Sequence, residues 1–200
     1  MFSKFLRALS WRTLWLTEIR VFAARPTAAA LPPCARDCFR RLRGLSDDHL
    51  RQAESAMAAA GEPAGLVADR FRQGDEFIAL QKDQTLVAFG WLTHGERTIG
   101  STRLPPHPGR VFLYNFHTLA QCRGCGHYPC LLRSLRASLA AQRVSELIID
   151  VNARNTASLR GVEKGGFTHI ATIRYLTFFR RWKRSLPQPV AFATLAPVPQ

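Results

Sequence analysis

The chain is 200 residues long, with 46% apolar and 21% charged side chains, the balance of a folded globular protein rather than a disordered tail or a fibre. Lys and Arg number 28 against 14 Asp and Glu, a formal charge of +14, which favours an anionic partner: a phosphate-bearing ligand, nucleic acid or an anionic membrane face. The five cysteines are an odd number and no cleavable secretory signal precedes them, so a reducing compartment fits better than a disulfide framework.

Residues 1–24 mix Phe2, Phe5, Leu6, Leu9, Trp11, Trp15, Ile19 and Phe22 with Lys4, Arg7, Arg12 and Arg20. Charges interrupt every run long enough to span a bilayer, which takes about 20 apolar residues. The pattern predicts a basic amphipathic helix. Three uses for it stay open: packing on the domain or a partner subunit, lying on a membrane surface, or serving as an Arg-rich transit segment. An Ala/Pro linker over residues 26–33 separates it from the remainder of the chain.

Residues 38–42 read as a short strand. Ser46 caps a helix running to about Ala60, with Asp47 and Asp48 in its first turn, and Gly61 ends it. A second short helix covers residues 64–73. Residues 76–81 and 85–92 are strands joined as a hairpin through Lys82-Asp83-Gln84. Residues 97–101 make another short strand, and the prolines of residues 104–109 make a loop. Residues 111–119 are strongly apolar and predict a central strand. The turn Arg123-Gly124-Cys125-Gly126-His127-Tyr128-Pro129 comes next, then a helix through about Gln142 with Pro129 in its first turn. Residues 146–151 form a buried strand, which completes a right-handed crossover between parallel neighbours. A helix over residues 155–164 stops at Gly165-Gly166, and residues 168–179 are extended. Residues 180–184 are a basic exit, and the Pro- and Ala-rich residues 186–200 are loosely ordered. The expected division is a helix and linker over 1–33, a folded domain over 34–182 and a tail over 183–200.

Strand, Gly-rich turn and helix in that order make a phosphate cradle. Glycines let the backbone approach an anion, and the free N–H groups and dipole of the helix start favour negative charge. Arg123 adds a fixed cation. The same stretch holds Cys122, Cys125, His127 and Cys130, soft ligands of the kind zinc takes. Four ligands within nine residues would wrap the turn around the ion and deny the helix its start at His127, so no metal is assigned. Cys122 and Cys130 read instead as small packing residues. No zinc-finger, RNP or helix-turn-helix pattern supports specific nucleic-acid binding.

Arg123, Gly126 and Tyr128, with Asn155, Ser158, Glu163, Lys164, Gly166 and Phe167 about thirty residues on, resemble the two signatures of the GNAT superfamily of acyl-CoA-dependent N-acetyltransferases. The resemblance covers about residues 36–180. It implies an α+β fold: a mixed, mostly antiparallel central sheet with a splayed parallel strand pair and flanking helices. It implies that Phe116, His117 and Thr118 end the splayed strand against the pantetheine of acetyl-CoA. Arg123, Gly124, Cys125, Gly126, His127 and Tyr128 would hold the pyrophosphate, and Asn155 and Ser158 the pantetheine or adenosine end. The implied reaction is direct attack of a primary amine on the acetyl thioester.

Three departures from the pattern matter. Val162 stands where many relatives carry a Tyr proposed to protonate the leaving thiolate, so either the thiolate leaves unaided or through water, or Tyr128, Tyr114 or Tyr175 substitutes. Tyr128 replaces a small Gly or Ala. No acid lies in the strand before the turn, where Asn115 and His117 stand instead. Asp150 and His117 are the base candidates, and Tyr128 completes the candidate catalytic set. Two other functions stay open: a GNAT-like module that binds CoA or another anion without catalysis, and a membrane-surface transferase acting on an amino sugar or lipid-linked acceptor. The expected partners are acetyl-CoA and an amine whose identity no motif carries. Residues 1–25 are left for a membrane or subunit contact. The expected chain is a cytoplasmic or membrane-peripheral monomer or homodimer.

Overall fold

The computed structural model describes residues 14–27, 39–178 and 182–186. In chain order its elements are β1 (Leu14–Ala24), β2 (Phe39–Leu42), α1 (Asp47–Ala59), α2 (Val67–Arg72), β3 (Glu76–Lys82), β4 (Thr85–Thr93), β5 (Arg97–Ile99), β6 (Thr102–Leu104), β7 (Arg110–Thr118), α3 (His127–Leu139), β8 (Glu146–Asn152), α4 (Thr156–Lys164), β9 (Thr168–Phe178) and β10 (Trp182–Ser185). Eight strands make one sheet in the order β10-β9-β1-β8-β7-β4-β3-β2, and β5–β6 is a separate hairpin. Every neighbouring pair is antiparallel except β7–β8. This is the mixed α+β architecture expected from the sequence.

Side chains alternate between two buried faces. One face carries Ile78, Leu113, Ile149 and Phe22 beneath α3 and α4, which supply Leu131, Leu132, Leu135 and Val162. On the other face, Phe77, Phe89 and Trp91 pack against Met57 of α1 and Phe71 of α2. The β5–β6 hairpin covers the rest of that face, with Ile99 and Leu104 against Val21, Ile148 and Ile173. The β3–β4 turn is tight, with Asp83 and Gln84 both at positive φ (50° and 62°), the backbone that matches the twist of a two-residue hairpin. Edge strand β2 is tied down through Arg41, which donates to the buried Glu76 carboxylate at 2.6 Å.

The N-terminal helix expected over residues 1–24 is not what forms from Leu14 onward; residues 1–13 lie outside the described residues. Leu14–Ala24 is a strand inserted between β8 and β9. Ile19, Val21 and Ala23 face one core while Phe22 and Ala24 face the other. A strand buried on both faces needs a continuous apolar run, which Val21-Phe22-Ala23-Ala24 supplies. Its flanking arginines imitate a helical charge pattern. The segment that motivated membrane-surface binding is thus, in its described part, an inner strand. No helix among the described residues is long and apolar enough to cross a membrane.

Three smaller readings change as well. Leu104, expected in a loop, ends β6, and part of the basic exit forms β10. Cys130 packs in the core as expected but is also disulfide-bonded, which the preference for a reducing compartment did not anticipate, whereas Cys122 and Cys125 are free thiols. Most of the linker and tail (residues 28–38 and 187–200) falls outside the described residues.

Phe22 is 1% exposed between two strands, so Phe22→Ala should cost about 3–5 kcal/mol of stability. Urea denaturation would measure it. A loss below about 1 kcal/mol would mean that the segment is peripheral.

Candidate functional site

The site begins where β7 and β8 part. The two strands pair only from Arg110↔Glu146 to Leu113↔Ile149, although β7 runs on to Thr118 and β8 to Asn152. β8 stays bonded to β1 as far as Asn152, opposite Ile19. β7 stays with β4 but changes register: Trp91 pairs with Tyr114, whereas Phe89 pairs with His117. Two steps along β4 therefore match three along β7. The extra residue is accommodated by a bulge, where Asn115 has φ 52°, a left-handed conformation that Asn tolerates better than most residues.

The bulge inverts the alternation of the strand end. Phe116 comes onto the α3–α4 face, where its ring meets Tyr128 at 5.9 Å between centroids. His117 comes onto the α1–α2 face and stacks on Phe89 at 5.2 Å. Gly90 makes this fit possible, since a Cβ there would lie 2.5 Å from the Phe116 ring.

Beyond β7 the chain turns through Arg123-Gly124-Cys125-Gly126 into α3. Gly124 and Gly126 both have positive φ (80° and 77°), and nothing lies within 4 Å of a Cβ added at either. They serve backbone conformation and leave the space above the turn open. Gly126 gives α3 no side-chain cap. Ser46 caps α1, and Asn155 caps α4 by accepting from the Ser158 N–H at 3.0 Å. Unlike those of α1 and α4, the first-turn N–H groups of α3 are thus left for an outside acceptor.

A cavity of about 670 Å³ opens over this turn. Its walls are the end of β7 (Phe116, His117, Thr118), the turn and start of α3 (Cys122, Arg123, Gly124, Gly126, His127, Tyr128), and one side of α4. From α4 come Asn155, Ser158, Arg160, Gly161 and Lys164. Ten of the cofactor-site residues named from the sequence are brought together here. Cys125 is not among the lining residues; its thiol is exposed and donates to the Arg123 carbonyl at 3.7 Å. Arg160 and Lys164 were not anticipated. They lie one turn apart on α4, within the second signature, and their i,i+4 spacing is the signal that could have found them.

Tyr128 fits because Gly161 faces it. A Cβ at Gly161 would approach the Tyr128 ring to 2.4 Å. A helix-interior glycine costs about 1 kcal/mol relative to Ala, a cost that flags a packing reason legible in the sequence. Burial lifts the Tyr128 phenol to about 12, although a hydrogen bond with the Ser158 side chain pulls the other way. The phenol therefore keeps its proton at neutral pH.

The two base candidates sit differently. Asp150 is the first β8 residue past the paired segment, yet it does not line the cavity, and Arg97 holds it at 3.3 Å. His117 is part of the strand end that lines the cavity, while its imidazole lies on the α1–α2 face. Its Nε2 lies 3.0 Å from Asn115 Oδ1 and 3.3 Å from Glu62 Oε1. With two oxygen acceptors there, Nε2 carries the hydrogen and Nδ1 the lone pair. Burial pushes the His117 pKa down, and Arg123 and Arg70 push the same way against Glu62.

The other tyrosines are committed elsewhere. Tyr114 donates its hydroxyl to Asp75 at 2.5 Å. Tyr175 packs over Gly100 on the hairpin side. Val162 is fully buried in the core. Among the described residues no group of three or more His, Cys, Asp or Glu is placed to hold a metal ion.

No family model and no curated protein matches the sequence. Solved structures do match the fold. A GCN5-related N-acetyltransferase from Sphaerobacter thermophilus superposes with a TM-score of 0.58 at 13% identity, over 96% of this chain and 59% of that one. A GNAT-family acetyltransferase from Colwellia psychrerythraea gives 0.56 at 16%, over 86% and 60%. A GNAT-family protein from Novosphingobium aromaticivorans gives 0.54 at 20%, over 82% and 64%.

The fold is that of the GNAT acetyltransferases. The chain spans about three fifths of the length of these neighbours. The open strand pair and uncapped α3 of this GNAT fold bound the 670 Å³ cavity.

If Tyr128 and Gly161 are a matched pair, Gly161→Ala alone should lose about 1–2 kcal/mol, overpacking outweighing the gain in helix propensity. The same change in a Tyr128→Ala background should be neutral or stabilising. A double-mutant cycle by chemical denaturation measures the coupling, and additive effects would contradict the pairing.

Proposed function

We propose that the chain is an acyl-CoA-dependent N-acyltransferase with acetyl-CoA as its donor and a primary amine as its acceptor. The observation that carries this reading is the cavity at the mouth of the open β7–β8 pair, with an uncapped helix start at one wall and cations at its rim.

The cavity suits the donor in parts. The free N–H groups at the start of α3, with Arg123 beside them, suit a pyrophosphate. Arg160 and Lys164 add the positive charge that further phosphate oxygens need. Past the bulge, the backbone of Phe116 to Thr118 is free of β8 and offers hydrogen bonds to pantetheine amides. Asn155 is turned toward its own helix as a cap, so its part in donor binding is to hold α4 in place.

His117 is the base in this reading, in preference to the ion-paired Asp150. Its Nδ1 takes the amine proton as the new C–N bond forms, and Glu62 stabilises the resulting imidazolium. Tyr128 is the phenol at the cavity wall that still has a proton to give. It donates to the thiolate as the C–S bond breaks. A CoA-binding module without catalysis is the second reading, favoured by the buried Val162.

Calorimetry should detect acetyl-CoA binding, weakened by salt and by Arg160→Gln or Lys164→Gln; no heat at high micromolar donor would defeat both readings. A thiol-release assay then separates enzyme from module. His117→Gln should lower kcat by about 10²-fold or more, and Asp150→Asn by less. Because the folded pKa of His117 is depressed, the base stays unprotonated to lower pH than an ordinary histidine, near 6.5. The acid limb of kcat/KM, which reports the free enzyme, should therefore fall below that value and disappear in His117→Gln. A limb retained in that variant would remove His117 from the mechanism.

A further inference from the structure

The α1–α2 face beside His117 carries a guanidinium that the proposed reaction does not use. Arg70, on α2, lies over the Trp91 ring at 4.9 Å and the Tyr114 ring at 5.2 Å. Its side chain is half-buried and makes one hydrogen bond, a weak one to Met57 Sδ at 3.8 Å. No carboxylate among the described residues lies within ion-pair distance of it. Every other arginine of this wall is engaged: Arg97, which also lies over Tyr114 at 5.0 Å, holds Asp150. Contact with aromatic rings occupies the faces of a guanidinium and leaves its N–H edge for a planar or tetrahedral oxyanion.

Two further observations point to an acceptor of hydrogen bonds at this place. Trp91 Nε1 and Arg97 Nε are the buried side-chain polar atoms left without a partner among the described residues. Both are donors, and both belong to side chains around Tyr114. Buried donors are rarely left unpaired. Asp75 accepts from the Tyr114 hydroxyl, and Asp150 from Arg97 Nη2.

We infer that Arg70 and the donors around Tyr114 bind an anionic group, a carboxylate or a phosphate, carried by the amine acceptor itself. This rests on the acyltransferase reading and names its substrate class: a small amine with an oxyanion a few bonds from its nitrogen. The spacing fits. Tyr114 and His117 face the same side of the sheet opposite Trp91 and Phe89, which stand two residues or about 7 Å apart along β4. An acceptor that spans this gap places its amine at His117 and its anion at Arg70.

The test is a thiol-release assay with acetyl-CoA and matched amine pairs: amino acids against their amides, and aminoalkyl phosphonates against their neutral diesters. The anionic member of one series should be favoured about tenfold or more in kcat/KM, the series showing whether carboxylate or phosphate is read. Arg70→Gln should bring that ratio close to one, and Arg70→Lys should restore part of it, while both variants keep the acetyl-CoA affinity of the parent. Thiol release at equal rates from both members of every pair would leave the acyltransferase reading standing and overturn the anion site. So would a ratio unchanged in Arg70→Gln. Thiol release from no amine at all would overturn the acyltransferase reading and the anion site with it.

Discussion

One residue in a left-handed conformation decides what the end of β7 presents to each side. Without the bulge at Asn115, strict alternation would carry Tyr114's face on to Phe116 and turn His117 toward α3 and α4. The bulge reverses that assignment. The aromatic wall of Phe116 then faces the cavity under the helices, and the imidazole faces the opposite side with Glu62. A left-handed Asn costs on the order of 1 kcal/mol relative to an ordinary strand residue. The Asn115 side chain offsets this by accepting from His117 and reaching Met57 at 3.5 Å.

The opening between β7 and β8 needs both strands held from outside. β4 holds β7 through the bulged register, and β1 holds β8 along its whole unpaired end. The first strand of the chain thus stabilises a gap formed by residues about a hundred positions later. Arg97 acts across the mouth: it pairs with Asp150 on β8 and lies over Tyr114 on β7. An Asp150 committed to that contact is better placed to fix the separation of the strands than to remove a proton.

The regular elements were legible where one face is buried or a cap marks the start. The Ser46 cap, the tight β3–β4 turn and the glycine turn before α3 all read correctly because local chemistry dictates them. β1 was misread because both its faces are buried, so it has no period of two, and neighbouring arginines supplied a false helical one. The bulge left no trace, since Asn115 is as ordinary in a strand end as in a left-handed kink until its partner strand is known. Gly161 was the opposite case: its signal was present as a costly glycine inside a helix, and Tyr128 gave it a reason only once α3 and α4 were seen to meet.

The excess positive charge has two destinations around the same histidine. Arg123, Arg160 and Lys164 line the cavity at the start of α3, while Arg70 and Arg97 sit on the opposite face with Asp75, Asp150 and Glu62 nearby. His117 stands between the two groups. Burial is the main force keeping its ring neutral, and one arginine from each side, Arg123 and Arg70, adds to it. In the proposed reading this is the condition a base needs before reaction, and Glu62 answers the charge that proton transfer creates. In the proposed reading an anionic donor and an anionic acceptor would each neutralise one of those arginines on binding. The pKa of His117 would then rise when both substrates are in place, so its affinity for the amine proton would be greatest in the assembled complex.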